Sequence, residues 1–310
     1  MGFGAVHRPH AIAFPGPTYI TQFTDVRPNH NYAEFVERSA SEPAPQWTGV
    51  IAAAPEIGFD SRQLKTILDL CTDQDVAIGY APSGGTVSLY YRKGVNRGLR
   101  EDVASLVHDR FDMANNAMLY WESLSAEQRS VAQITAMLKA VSTDGATAPL
   151  VHVGSAALAG NVAVSHVYTL GPVSVNGAWV DSVISARLDN NFTFDAEDES
   201  GNAWLQYYGI DEHNPKVTIE TNDIGVFADY GSGGTALSSL KLYFRKLQHG
   251  TLGPVADATA AHVKVTATLG TILVQEGSGN KGRFRVTIAL EKPDATTQPF
   301  VVDTASAIAV

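Results

Sequence analysis

The chain reads as a mainly β protein with a few helices (α+β), built as two β-sandwich or barrel domains in tandem. Three observations lead there. Short runs alternate apolar and polar residues with period two, bounded by glycine, proline and acidic turns, as half-buried strands do. One such run occurs twice: Ser83-Gly84-Gly85-Thr86 leads to Leu89-Tyr90-Tyr91-Arg92-Lys93, and Ser232-Gly233-Gly234-Thr235 leads to Leu242-Tyr243-Phe244-Arg245-Lys246. The length of 310 residues corresponds to about two domains at roughly 100–200 residues each.

Residues 1–20 form the first element, an extended N-terminal arm. Pro9, Pro15 and Pro17 oppose a helix, and the aromatics Phe3, Phe14 and Tyr19 cannot bury themselves in so short a segment. Such a segment either docks on the protein's own body or reaches a neighbour, and contact with a neighbouring subunit is the expectation. Residues 21–155 are then a first β domain with helical insertions. Residues 50–59 read as a strand interrupted at Pro55, and a weaker echo of them runs over 217–227. Ser61 is placed to cap a helix whose apolar side is Leu64, Ile67, Leu68 and Cys71. Residues 102–111 read as a short helix. A longer one is expected after the capping box Ser125-Ala126-Glu127-Gln128, with Val131, Ile134, Leu138 and Val141 as its stripe. The boundary falls near 150–160.

Residues 156–310 are the second β domain. Residues 180–189 alternate as a strand, 195–201 form an acidic turn, and 263–269 and 284–290 are expected to make a hairpin across a glycine-rich turn at 277–282. The helix at 61–71 has no counterpart in this half beyond a loop around 229–234.

No set of residues in the chain carries catalysis. The Ser-Gly-Gly segments lack the Gly-Lys-Ser/Thr of a phosphate loop and read as turns. There is no HExxH, no Cys/His set and no Gly-x-Ser-x-Gly elbow. His108-Asp109 and Asp211-Glu212-His213 are the only close His–carboxylate groupings and read as structural. Asp195, Glu197, Asp198 and Glu199 lack the spacing of a calcium loop and read as a solvated loop. The chain is therefore expected to have no catalytic, metal or cofactor site and not to be an enzyme. Cys71, the single cysteine, reads as a buried structural thiol. No signal peptide is visible, nor an apolar run near the ~20 residues that span a bilayer, so no membrane partner is expected.

Net charge is −10, with 22 basic and 32 acidic residues. That balance opposes a protein that grips phosphate backbones. Arg92, Lys93, Arg245 and Lys246, which close the repeated run, read as inter-subunit ion-pair donors or solvated strand ends. Low charge density, a tethered arm, turn-linked strands and a tandem repeat together suit a protein that assembles with itself.

In these features the chain resembles the tail tube (major tail) proteins of tailed bacteriophages. The resemblance implies β-sandwich or barrel domains that pack six to a ring. Rings stack into a hollow virion tail, assembled in the host cytoplasm, in contact with other tail proteins. DNA passes through in transit without specific binding. Two domains per chain favour a homotrimeric ring with pseudo-sixfold symmetry over a hexamer. Under this resemblance Asp195, Glu197, Asp198, Glu199, Asp211 and Glu212 would face the lumen. Phe3, Phe14, Tyr19, Arg92, Lys93, Arg245, Lys246 and Lys281 would make subunit contacts. The alternative is a phage baseplate, decoration or receptor/carbohydrate-binding β protein, with Trp179, Trp204, Tyr207 and Tyr208 as sugar-stacking aromatics.

Overall fold

In the computed structural model the described residues are 6–16, 18–29, 32–37, 47–72, 79–80, 85–94, 108–114, 117–158, 166–197, 202–223, 225–227, 234–276, 283–294 and 296–309. They form 24 strands and one α-helix. The strands fall into two runs of twelve. The first is β1 (Val6–Phe14), β2 (Thr18–Ile20), β3 (Phe23–Asn29), β4 (Tyr32–Glu37), β5 (Trp47–Ala53), β6 (Glu56–Ser61), β7 (Gly79–Tyr80), β8 (Thr86–Gly94), β9 (His108–Ala114), β10 (Ala117–Glu127), β11 (Gln133–Ala140) and β12 (Leu150–Ala156). The second is β13 (Tyr168–Val175), β14 (Ala178–Val180), β15 (Val183–Asp189), β16 (Phe192–Glu197), β17 (Tyr207–His213), β18 (Lys216–Thr221), β19 (Thr235–Leu237), β20 (Leu240–Lys246), β21 (His262–Ala267), β22 (Gly270–Glu276), β23 (Phe284–Leu290) and β24 (Val301–Ser306).

The two runs pair identically. A five-stranded sheet β2-β1-β8-β9-β12 in the first is matched by β14-β13-β20-β21-β24 in the second. The hairpin β4–β5 is matched by β16–β17. The strands β7, β10, β11, β6 and β3 are matched by β19, β22, β23, β18 and β15, and all ten belong to one sheet. Register irregularities recur at matching positions. Between β3 and β6 the shift falls at Phe23/Asp25, and between β15 and β18 at Val183/Ser185. In the hairpins it falls at Ala33/Glu34 and at Thr193/Phe194. Between β9 and β12 it lies beside His108, and between β21 and β24 beside His262. In β1 it follows Pro9, and in β13 it follows Leu170. Bulges are built features of a sheet, not noise, so their recurrence marks one supersecondary plan used twice.

The closing half of the repeated run, Leu89–Lys93 and Leu242–Lys246, occupies β8 and β20, the central strands of the two five-stranded sheets, whereas the Ser-Gly-Gly-Thr halves do not correspond: Thr86 opens β8, and Thr235 opens β19 of the ten-stranded sheet. Local chemistry repeats too. Ser61 Oγ accepts the amide of Gln63, and Thr221 Oγ1 accepts that of Asp223, each at the end of the matching strand. The ten-stranded sheet buries one face. Ile134, Ala136, Leu138 and Ala140 of β11 and Val286, Ile288 and Leu290 of β23 point into a buried cluster that continues through both repeats. At about 25 cal/mol per Å² of apolar surface, each such Leu or Ile contributes roughly 1.5–3 kcal/mol.

Several expectations are corrected. The described part of the expected arm, residues 6–16 and 18–20, is built into the protein's own body: β1 lies between β2 and β8, and Ala11, Ile12, Phe14 and Ile20 are core, while residues 1–5 lie outside the described residues. Pro9 is tolerated because it sits at the bulge. Of the expected helix at 102–111, residues 108–111 are strand and 102–107 lie outside the described residues. The expected helix after Ser125 is the hairpin β10–β11, with Arg129 at φ 63 in its turn. Its spacing suits a helix only if alanines are ignored, and Ala132, Ala136 and Ala140 complete a period-two buried face. The strand expected at 180–189 starts at Val183, after a bend. The strand at 284–290 pairs with β22 and not with 263–269, which belongs to the other layer. The echo of 50–59 is misaligned, since Ile57 matches Val217. The helix α1 (Leu64–Thr72) is present with Leu64, Ile67, Leu68 and Cys71 all buried. Its counterpart is one 3-10 turn, Gly225–Phe227.

Candidate assembly interface

The ten-stranded sheet is continuous because β10 serves two partners on one edge. Leu119 and Tyr120 pair with β7, and residues 123–127 pair with β15 of the second repeat. Between them a bulge at Glu122 turns the strand. Asn190, fully buried, seals the bulge: its amide nitrogen donates to the Glu122 carbonyl at 2.8 Å and its side-chain nitrogen to the Trp121 carbonyl at 2.7 Å. Trp121 is thereby held in the core, edge-on to Phe300 of the second repeat.

Two further elements clamp this joint. The helix α1 reaches β24, where Thr304 donates to Asp69 and accepts from Lys65. The hairpin β16–β17 lies across the first repeat. Phe194 and Phe192 pack on Tyr120, with centroids 4.5 and 5.9 Å away. The Lys139 ammonium bonds the Tyr208 hydroxyl, stands 4.8 Å from the Phe194 ring centre and pairs with Glu56 at 3.3 Å. Leu205 donates to the Ala53 carbonyl, and Ser142 donates to that of Leu205.

Burial dominates the electrostatics under the hairpin. It lowers the Lys139 pKa against the opposing pull of Glu56 and Glu122, and raises that of Glu122 against Arg27. It raises Tyr120, with Glu122 adding to the effect. His213, at the hairpin foot, is pushed down to about 4 by burial and by Lys292. Its Nε2 lies 3.2 Å from Asn190 Oδ1, so the neutral ring suits a donated hydrogen bond there.

At the far ends of the sheet the matching surfaces lack their counterpart strand among the described residues. The outer edge of β3 has no strand partner among the described residues, and most of β3 is exposed where β15 is mostly covered. On β22 only residues 270–272 pair with β19. Leu273 beyond them is 40% exposed, whereas its counterpart Tyr120 is buried.

The sequence-expected residues fall unevenly. Asp195, Glu197, Asp211 and Glu212 come together on the β16–β17 hairpin, with Asp195, Asp211 and Glu212 exposed; Asp195 lies within a strand, not a turn. Asp198, Glu199, Phe3 and Lys281 lie outside the described residues. Phe14 is buried core, and Tyr19 is half-buried in β2. Arg92 and Lys93 pair in the β8–β1 ladder with Arg8 and His7. Arg245 is held within the chain by Asp257 in a two-pronged ion pair of 2.9 and 2.6 Å, and the Lys246 amide donates to His262. Trp204 bridges to Ala53, Trp179 stacks obliquely on Tyr243, and Tyr208 holds Lys139; of the expected sugar-binding aromatics only Tyr207 is exposed. No group of three metal-ligating side chains occurs among the described residues, and no helix there is long and apolar enough to cross a membrane.

Reasoning from sequence missed Trp121, Tyr120, Lys139 and Asn190. One available signal was a second repeat: Asp144, Thr147, Pro149 and Val151 recur in the same spacing as Asp294, Thr297, Pro299 and Val301. Asp144 and Asp294 each accept hydrogen bonds from the amide and hydroxyl of the threonine three residues on, which holds both carboxyls well below their usual range.

On the solvent face of the ten-stranded sheet, cations lie beside carboxylates. Arg27 binds Asp25 and Asp60, Arg187 binds Asp189, and Lys216 and Arg285 stand opposite Asp189 and Glu220 in the ladders. No protein-family model matches the chain, and none of the curated proteins is similar to it in sequence.

Proposed function

We propose that the protein is structural and polymerises with itself into stacked rings that form a hollow tube, the tail tube of a phage virion, through which DNA passes. The observation that carries the reading is the joint between repeats. Two copies of one plan are joined head to tail through a single sheet, and among the described residues the surfaces that would continue the series meet no counterpart strand at either end. A heterologous contact of this kind closes into a ring when its rotation divides the circle. It also removes sheet edges that would otherwise seek partners. With two repeats per chain, a sixfold plan needs three chains.

The solvent face of the long sheet is the natural wall of such a ring. Arg27 and Arg187 are ion-paired there, Lys216 and Arg285 stand opposite carboxylates in the ladders, and the chain as a whole is acidic. A duplex carrying about one negative charge per 1.7 Å would find no basic track to bind.

Negative-stain electron microscopy and mass measurement of the purified protein test this reading. The expected result is closed rings of three chains that stack into tubes. Six chains per ring would overturn the trimer. A protein that stays monomeric at every concentration would overturn the tube and favour the receptor- or carbohydrate-binding alternative.

A further inference from the structure

A cavity of about 520 Å³ opens in the first repeat between its two sheets, lined by Ile57, Leu89, Tyr91, Phe111, Leu150 and Pro28 among others. The second repeat has the same strands, and its matching positions are filled. Val217, Leu242, Phe244, Val265, Phe300 and Leu188 are all essentially without solvent contact. The difference lies in what sits beside them. In the second repeat the space next to β15 is taken by β10, which brings Trp121 onto Phe300. In the first repeat the corresponding edge, β3, meets no strand among the described residues.

The element that would supply the missing cover is β22, the counterpart of β10. Among the described residues, its positions 273–276 have no strand partner on the side away from β23. Val274, the counterpart of Trp121, lies on the core-facing side opposite Val286, and Leu273 lies on the other side, exposed.

We infer that the cavity and the β3 edge receive β22 of a second copy of this chain, in the register that β15 and β10 already use. This rests on the self-assembly reading and names its contact. Ser123 pairs with Asp189 and Leu124 with Leu188 inside the chain. Carried across copies, Gln275 pairs with Asn29 and Glu276 with Pro28. Val274 then points toward the cavity. The β4–β5 hairpin of the receiving copy covers Leu273, as β16–β17 covers Tyr120. Pro28 lacks one ladder donor and leaves the others in place.

Cysteine cross-linking tests the register. Directly opposed residues in antiparallel strands have Cα atoms about 4.5–5.5 Å apart, within disulfide reach. Cys71 is fully buried and adds little background. Asn29→Cys and Gln275→Cys proteins are mixed and oxidised, with Asp25→Cys plus Gln275→Cys as the out-of-register control. The expected result is covalent dimer from the first mixture at a yield at least tenfold above the control. Leu273→Asp is expected to weaken association at least tenfold in sedimentation while the melting temperature stays within a few degrees. Rings in the microscope without the Asn29–Gln275 cross-link would overturn this contact and leave the tube standing. Absence of both rings and cross-link would overturn the contact and the tube together.

Discussion

Trp121 of the first repeat stands edge-on to Phe300 of the second, ring centroids 5.8 Å apart, with Trp121 wholly shielded from water. It is the largest side chain in the joint, and the bulge at Glu122 exists to place it. Trp121→Ala should lower stability by about 3–5 kcal/mol through lost burial and a residual cavity. Urea denaturation measures this. A loss below about 1 kcal/mol would mean that the repeats do not depend on this contact.

Lys139 and Glu56 form a largely covered ion pair beneath the β16–β17 hairpin. Lys139→Met should cost about 2 kcal/mol, because Glu56 is left poorly solvated without its cation. Lys139→Met combined with Glu56→Gln should recover more than half of that loss, since no lone charge remains. A double variant as unstable as the single one would show that the cation–aromatic contacts with Tyr208 and Phe194, not the charge pair, carry the energy.

His213 gives the joint an acid limit. Its folded pKa, about 4, lies below the unfolded value of about 6.5. The unfolded chain therefore binds more protons between those values, and stability must fall as pH drops through that window. Below the folded pKa both states are protonated and this contribution changes no further. With partial exposure of the ring allowed for, the loss is on the order of 2 kcal/mol. His213→Gln should flatten the stability curve between pH 6.5 and about 4; an unchanged curve would assign the acid response elsewhere.

Cys71 is buried in α1 and its thiol is pushed up to about 12 by burial. At pH 8 only about one molecule in ten thousand carries the thiolate, the reactive form. Thiol reagents should modify the folded protein at least a thousandfold more slowly than the urea-unfolded chain. Rapid labelling of the native protein would contradict the burial of the helix.

Much of the fold was legible locally. Period two named the strands of 86–94, 240–246 and 284–290, and period 3.6 with a fully apolar stripe named α1. The hairpin β10–β11 was not legible as such. Its core face alternates bulky residues with alanine, and alanine is neutral between helix and strand until a partner strand covers it. The strand at 6–14 is illegible for a related reason: a proline-rich segment looks unable to pair, yet Pro9 sits at a bulge where its missing donor costs little. Asp195, Asp211 and Glu212 were recognised as exposed acids, but their gathering on one hairpin depends on pairing across residues far apart in the chain.

By itself the sequence determined the class of structure, the twice-used Leu-Tyr-aromatic-Arg-Lys segment that lies in the central strands β8 and β20, and the burial of α1, because each follows from the spacing of side chains along one segment. Only the tertiary structure decided that the whole twelve-strand plan recurs with its bulges, that β15 adds to β10 to make one sheet, and that the second repeat fills with Trp121 the space the first leaves open. Strand partners, registers and edges are properties of backbone groups, which every residue shares. The order in which they pair is set by which apolar faces cover one another, and that is a relation between distant segments.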